Sequence, residues 1–171
     1  MANYKELVPF IRKWEGGFVN HKNDRGGATN KGITIGTFRS VFGQGKTIED
    51  LKRLTEEQWM YIFKKLFWDK CKADQIQDQS IANMLVDWAW NSGAVTAIKH
   101  LQKLVGVTAD GIVGKQTLNA INSRDPMPLF LDFKGDRINF YKNIVKSNPT
   151  QEVFLKGWIN RVAHIAYGKL F

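Results

Sequence analysis

Two carboxylates stand close together in the stretch KWEGGFVNHKNDRGGATNKGIT, residues 13–34: Glu15, where an apolar helical pattern ends, and Asp24, inside a polar Asn-Asp-Arg-Gly-Gly turn. A helix C-terminus carries unsatisfied carbonyls and roughly half a negative charge, so an anion in its last turn is disfavoured by about 0.3–1 kcal/mol. With Trp14 and Phe18 beside it, Glu15 has surroundings that make a carboxyl reluctant to give up its proton. Asp24, next to Arg25 in a polar turn, is expected to stay ionised. Hydrolysis of a glycosidic bond needs two such groups, one to protonate the leaving oxygen and one to manage water or the developing cation. The same residues also fit a plainer description, with Glu15 solvated before a Gly16-Gly17 helix stop and Asp24 closing an Asx turn.

Other chemistries have less support. His21, His100 and His164 are far apart, and no two have ligand spacing on one helix or loop, so no metal is expected. Cys71 follows FWDK near a helix end with no histidine nearby and reads as a small buried hydrophobe. Phosphate loops, nucleophile elbows and dinucleotide fingerprints are missing from the sequence, and no cofactor is expected.

The elements that must position the two acids are helical. Asn3 can cap a first helix with apolar Leu7, Val8, Phe10, Ile11 and Trp14, stopped by Gly16 and Gly17. Polar turns follow, with at most a short irregular β-hairpin near residues 18–35, the only plausible strands. Thr47 and Thr55 begin two further helices, and Trp59, Ile62, Phe63, Leu66 and Phe67 make one buried stripe on the second. Ile81, Leu85 and Trp88 mark the buried side of the helix in DQSIANMLVDWAWNSG, which turns Trp90 about 160° away from it. Trp90, exposed beside Asn91, would then suit a sugar, with an apolar face to stack on and an amide to bind hydroxyls; the alternative is Trp90 packed under the next helix. Pro126 and Pro128 break the pattern ahead of two long helices over 129–147 and 150–168. The fold class is therefore mainly α.

The chain has 171 residues, 43% of them hydrophobic, enough for a real core, and no segment is long and apolar enough to span a membrane. A net charge of +9 points to polyanionic partners. No five-residue basic block occurs, so anionic wall or membrane polymers fit better than nucleic acid, and no nucleic-acid partner is expected. The first residues lack a secretory apolar core, and a lone cysteine suits a reducing compartment, so synthesis in the cytoplasm is expected.

The N-terminal segment resembles the signature of the glycoside hydrolase family 108 muramidases of phages and bacteria, which have a lysozyme-like helical fold. The resemblance rests on Glu15, Gly16, Gly17 and Phe18, then Asp24, Gly26, Gly27 and Thr29, then Gly32, Ile33 and Thr34. VDWAWNSG, residues 86–93, is similar to the family's aspartate-to-Asn-Ser-Gly helix end. LQKLVGVTADGIVGKQTLNAI resembles the predicted peptidoglycan-binding module that usually follows. This implies a catalytic lobe over residues 1–92 and a helical module over 93–171, packed as one unit, with Glu15 catalytic. The order Glu15, eight residues, Asp24 is also similar to phage-type lysozymes, in which a threonine follows after five more residues; here Thr29 follows after four. In TADGIVG, Asp110, Gly111 and Gly114 read as parts of a turn rather than as sugar contacts.

The resemblance implies an N-acetylmuramidase that cuts the β-1,4 bond between N-acetylmuramic acid and N-acetylglucosamine in peptidoglycan. Its residues would be Glu15, Asp24 and Thr29 for catalysis and Trp90 and Asn91 for substrate. A phage or prophage endolysin released through a holin pore is the expected setting. A non-catalytic wall-binding or secretion-helper protein on the same scaffold is the alternative.

Overall fold

The computed structural model describes residues 1–20 and 27–171. Asp24 and His21 lie outside the described residues. The first helix, α1 (Tyr4–Trp14), starts as expected, with Asn3 Oδ1 accepting from the Lys5 amide at 3.0 Å, and buries Leu7, Phe10 and Ile11. It ends because Glu15 turns extended, at φ −90° and ψ 136°. Neither Gly16 nor Gly17 enters the left-handed region, so the expected glycine stop is not how the helix terminates.

Val19 and Thr29 then exchange backbone hydrogen bonds at 2.8 Å, leading into β1 (Thr29–Asn30) and β2 (Ile33–Thr34). The two residues between these strands, Lys31 and Gly32, have φ of 50° and 80°. Positive φ at both positions is the geometry of the tightest hairpin turns, whose twist matches that of the strands. This is the short hairpin expected near residues 18–35.

Short helices α2 (Ile35–Phe42), α3 (Ile48–Lys52) and α4 (Glu56–Phe63) follow. Thr47 and Thr55 cap the last two, each with a reciprocal bond from the third helical residue. The helix expected to run on from Thr55 widens after Phe63 into a π-helical turn, Lys64–Trp68. Trp59, Phe63 and Phe67 stay on one side through this change, which matters below.

Helix α5 (Gln79–Ser92) runs through the middle of the molecule, with every residue from Ser80 to Ala89 buried. Around it pack α1, α6 (Ala94–Val105) and α8 (Pro126–Ser147), while α7 (Lys115–Asn122) packs on α6 and α9 (Glu152–Ala163) on α8. Helix α8 begins earlier than expected because Pro126 serves as its first residue, where the missing N–H has no helical partner to lose. Helix α9 ends earlier, because residues expected to continue it form a second hairpin, β3 (Ile165–Ala166) with β4 (Lys169–Leu170). Gly168, at φ 78°, makes its turn, and the hairpin docks on the start of α5: Gly168 N donates to Ser80 Oγ at 2.8 Å and Tyr167 OH to Asp78 Oδ2 at 3.0 Å. Among the described residues the fold is predominantly α-helical with only short antiparallel hairpins.

The Asp110-Gly111 turn joins α6 to α7 and belongs to the fold. Gln102 is buried; its Nε2 lies 2.9 Å from Asp110 Oδ1, 3.0 Å from the Ile112 carbonyl and 3.1 Å from Thr117 Oγ1, and its Oε1 accepts from Gly111 N at 2.9 Å. The Ile112 amide, then the Gln102 amide, hold the Asp110 carboxyl below its ordinary range.

Candidate active site

Glu15 sits where α1, the β1–β2 turn, α5 and α9 meet. Its Oε1 accepts from Trp90 Nε1 at 2.8 Å and from Arg161 Nη1 at 3.1 Å. Its other oxygen lies over the hairpin turn, where a Cβ added to Gly32 would come within 2.5 Å of Oε2 and 2.9 Å of the Trp90 ring. Any side chain at 32 would therefore collide with the carboxylate, on top of the strain of its positive φ. Among the described residues Oε2 accepts no hydrogen bond. Among the described residues no atom lies within 4 Å of where a Cβ on Gly16 or Gly17 would stand.

The turn is held from below. Trp59 Nε1 donates to the Lys31 carbonyl at 3.0 Å, and Lys31 Nζ pairs with Glu56 at 3.0 Å. Arg12 also pairs with Glu56 while stacking 4.0 Å above the Trp59 ring. Hydrogen bonds from Arg12, then Lys31, hold the Glu56 carboxyl at about 2.

Trp90 is half-buried. Its ring packs among Trp59, Phe63 and Phe67, with centroids at 5.4, 6.0 and 4.8 Å. Helix α5 is buried all round only from Ser80 to Ala89; at its end the side turned away from Trp88 meets these three rings, and Asn91 is exposed. Held there, Trp90 fixes the Glu15 carboxylate through its indole N–H.

Arg161 is fixed by a buried acid. Asp87 Oδ1 accepts from Arg161 Nη2 at 2.7 Å and Nε at 3.1 Å, and Asp87 Oδ2 pairs with Arg137 Nη2 at 2.8 Å. Burial alone would push the Asp87 carboxyl up; the Arg137 and Arg161 guanidiniums outweigh it and hold the group below its ordinary range. Burial likewise works against the Arg161 charge, but Asp87 and then Glu15 more than restore it. Asn91, with its amide oxygen turned to the guanidiniums, accepts from Arg137 Nη2 at 2.8 Å and Arg161 Nε at 3.2 Å. Two acids and two arginines thus make a formally neutral cluster, the arrangement that lets charges stay buried.

Thr29 lies in β1 opposite Thr34, half-buried, and among the described residues no hydrogen bond joins it to Glu15. Asp24 is outside the described residues. His100 pairs with Asp136 at 2.7 Å and His164 packs edge-on against Trp14 at 5.2 Å. Neither joins a group of potential metal ligands among the described residues. Cys71 is fully buried, which pushes its thiol up to about 12.

Sequence reasoning missed Arg161 and Arg137. One signal was available for the second: Phe130, Phe133, Arg137 and Tyr141 recur at helical spacing, which puts an arginine in a core stripe.

Residues 8–93 match the family model described as glycosyl hydrolase 108, and residues 96–163 match the one described as a predicted peptidoglycan domain. The solved structure of Brucella abortus SagA is 31% identical over 95% of this chain and 90% of that one, with a TM-score of 0.84. No curated protein matches.

Proposed function

This chain belongs to the glycosyl hydrolase 108 family and is a peptidoglycan-acting glycosidase; from that premise we propose that it is an N-acetylmuramidase in which Glu15 is the general acid. The observation that carries the reading is the asymmetry of the Glu15 carboxyl. Two N–H donors, from Trp90 and Arg161, converge on Oε1. An oxygen facing two donors has no room for a proton of its own, so the acid form carries it on Oε2. Oε2 faces the Gly32 turn and, among the described residues, accepts no hydrogen bond. A glycosidic oxygen brought to Oε2 would accept that proton as the bond to the anomeric carbon lengthens, and Oε1 would keep its two donors throughout. Arg161 and Trp90 then stabilise the carboxylate that proton transfer leaves behind.

Asp24 is the proposed second group, positioning or activating water or stabilising the oxocarbenium-like transition state, and Thr29 is the proposed third catalytic residue. The scissile linkage is the β-1,4 bond between N-acetylmuramic acid and N-acetylglucosamine. The net charge of +9 supports retention near anionic wall polymers, with attraction that weakens as salt rises. The setting we propose is a bacteriolytic endolysin that reaches the wall from the cytoplasm through a holin pore.

Product chemistry tests the reading. Purified peptidoglycan treated with the protein should gain reducing ends, with muramic acid as the newly reducible sugar, and no new amino groups. Release of amino groups would mean an amidase or peptidase, and release of neither would favour a non-catalytic wall-binding protein.

A further inference from the structure

We infer that the outer face of α9 continues the site as a glycan-binding floor, with Phe154 and Trp158 as its stacking rings; this rests on the glycosidase reading. The contact of Arg161 with Glu15 fixes which face of α9 meets the reaction centre. On an ideal helix Phe154, Gly157 and Trp158 fall within about 60° of Arg161, and Phe154 lies about 10 Å from it along the axis. That is the length of a short run of sugar rings leading away from Glu15.

Three features of this face suit a saccharide. The first is a near-parallel ring stack that rises from the core to solvent. Tyr141 is buried against Arg137, Trp158 stacks on Tyr141 at 5.2 Å and 28°, and Phe154 stacks on Trp158 at 6.0 Å and 28°. The stack ends on a Phe154 ring that is 53% exposed. A protein gains nothing by leaving such a ring in water, but a pyranose has an apolar face that can cover it.

Gly157 is the second feature. Glycine inside a helix costs up to about 1 kcal/mol relative to alanine. Here neither backbone nor packing among the described residues asks for it: its φ is not positive, and none of their atoms lies within 4 Å of where a Cβ would stand. What the glycine provides is clearance beside the rings.

The third feature is the polar border. On the side of Gly157 away from the two rings, α9 borders a depression of about 660 Å³ lined by Val153, Lys156, Ile159, Asn160 and Ala163, which flanks the stack and does not include it. Asn160 offers an amide for hydroxyl and acetamido groups, and Lys156 offers a cation for the carboxylates that muramic acid and its peptide carry. This face takes over the stacking role first read for Trp90.

The test uses the full chain with Phe154→Ala and Gly157→Leu, each also combined with Glu15→Gln for binding without turnover. Leucine is a good helix former, so an unchanged or raised melting temperature in Gly157→Leu shows intact folding. Co-sedimentation with insoluble peptidoglycan should weaken about ten-fold in each variant, about 1.4 kcal/mol, and the KM of the active forms should rise by a similar factor. Peptide-free glycan strands should compete the protein off the wall. Wild-type-like binding and KM in both variants would overturn the inference, as would failure of the glycan strands to compete. Should the wild type bind without releasing reducing ends, the muramidase reading would fall, and weakened binding by Phe154→Ala would still support the surface.

Discussion

Two turns in this molecule place a glycine at nearly the same backbone angle, Gly32 at φ 80° and Gly111 at 77°, and they use it in opposite ways. At Gly32 the absent side chain makes room for another group: Glu15 and Trp90 occupy the space a Cβ would need. At Gly111 the backbone itself is what the fold grips, through Gln102 on its amide and on the neighbouring Asp110. A Cβ there would meet Val95 Cγ1 at 2.8 Å, the end of a side chain on the preceding helix, α6. One turn is shaped around the Glu15 carboxylate and the other around a packing contact. Both read alike as Gly-containing turns in sequence.

The contrast can be broken at several points. The largest effect is expected at Asp87, which anchors the arginine of the Gly32 side. Asp87→Ala leaves Arg137 and Arg161 buried without their acid and should cost about 3–5 kcal/mol in urea denaturation, with activity lost as well. The same group sets an acid limit. Its folded pKa is depressed, so its contribution is complete above the unfolded value near 4 and is lost as pH falls through the lower folded value. Stability of the wild type should therefore fall more steeply below about pH 4 than that of Asp87→Ala.

Next comes Gly32→Ala, which should push the Glu15 carboxyl aside and lower kcat by about a hundredfold, the cost of a misplacement near 1 Å. Binding to peptidoglycan should persist, because the surface on α9 is untouched. On the other turn, Gln102→Ala removes the partner of Asp110, Gly111, Ile112 and Thr117 and should cost about 2–3 kcal/mol. Activity per folded molecule should hold, measured well below the melting temperature. Gly111→Ala is the mildest, about 1–2 kcal/mol from positive φ and the Val95 contact, again with activity kept. If Gly111→Ala lowered kcat as much as Gly32→Ala, the division between the two turns would be wrong.

How much of this was legible depended on how local the cause is. Helix starts at Asn3, Thr47 and Thr55 depend on a side chain bonding an amide two or three residues on, and each was found where the residue type placed it. The hairpin was legible from its glycines and polar run. For Trp90 the sequence left two readings open, because helical period gives the buried side of a helix and nothing in α5 itself announces that Trp59, Phe63 and Phe67 pack against its end. Arg161 reaches Glu15 across 146 positions of chain. Its helix has no motif that pairs it with either acid, so only folding brings the three together. The C-terminal hairpin was missed for a similar reason: Tyr167 and Gly168 take their partners from Asp78 and Ser80, at the far end of α5.

The central claim is that Glu15 supplies the proton. It is tested most directly by the rate of reducing-end release from purified peptidoglycan by Glu15→Gln, compared with wild type at equal folded concentration. Glutamine keeps the size and can keep the Trp90 and Arg161 bonds at its carbonyl oxygen, but it has no proton of suitable acidity to give. The account predicts a fall of about a thousandfold or more, with wall binding and melting temperature little changed. Release at more than a tenth of the wild-type rate would contradict it.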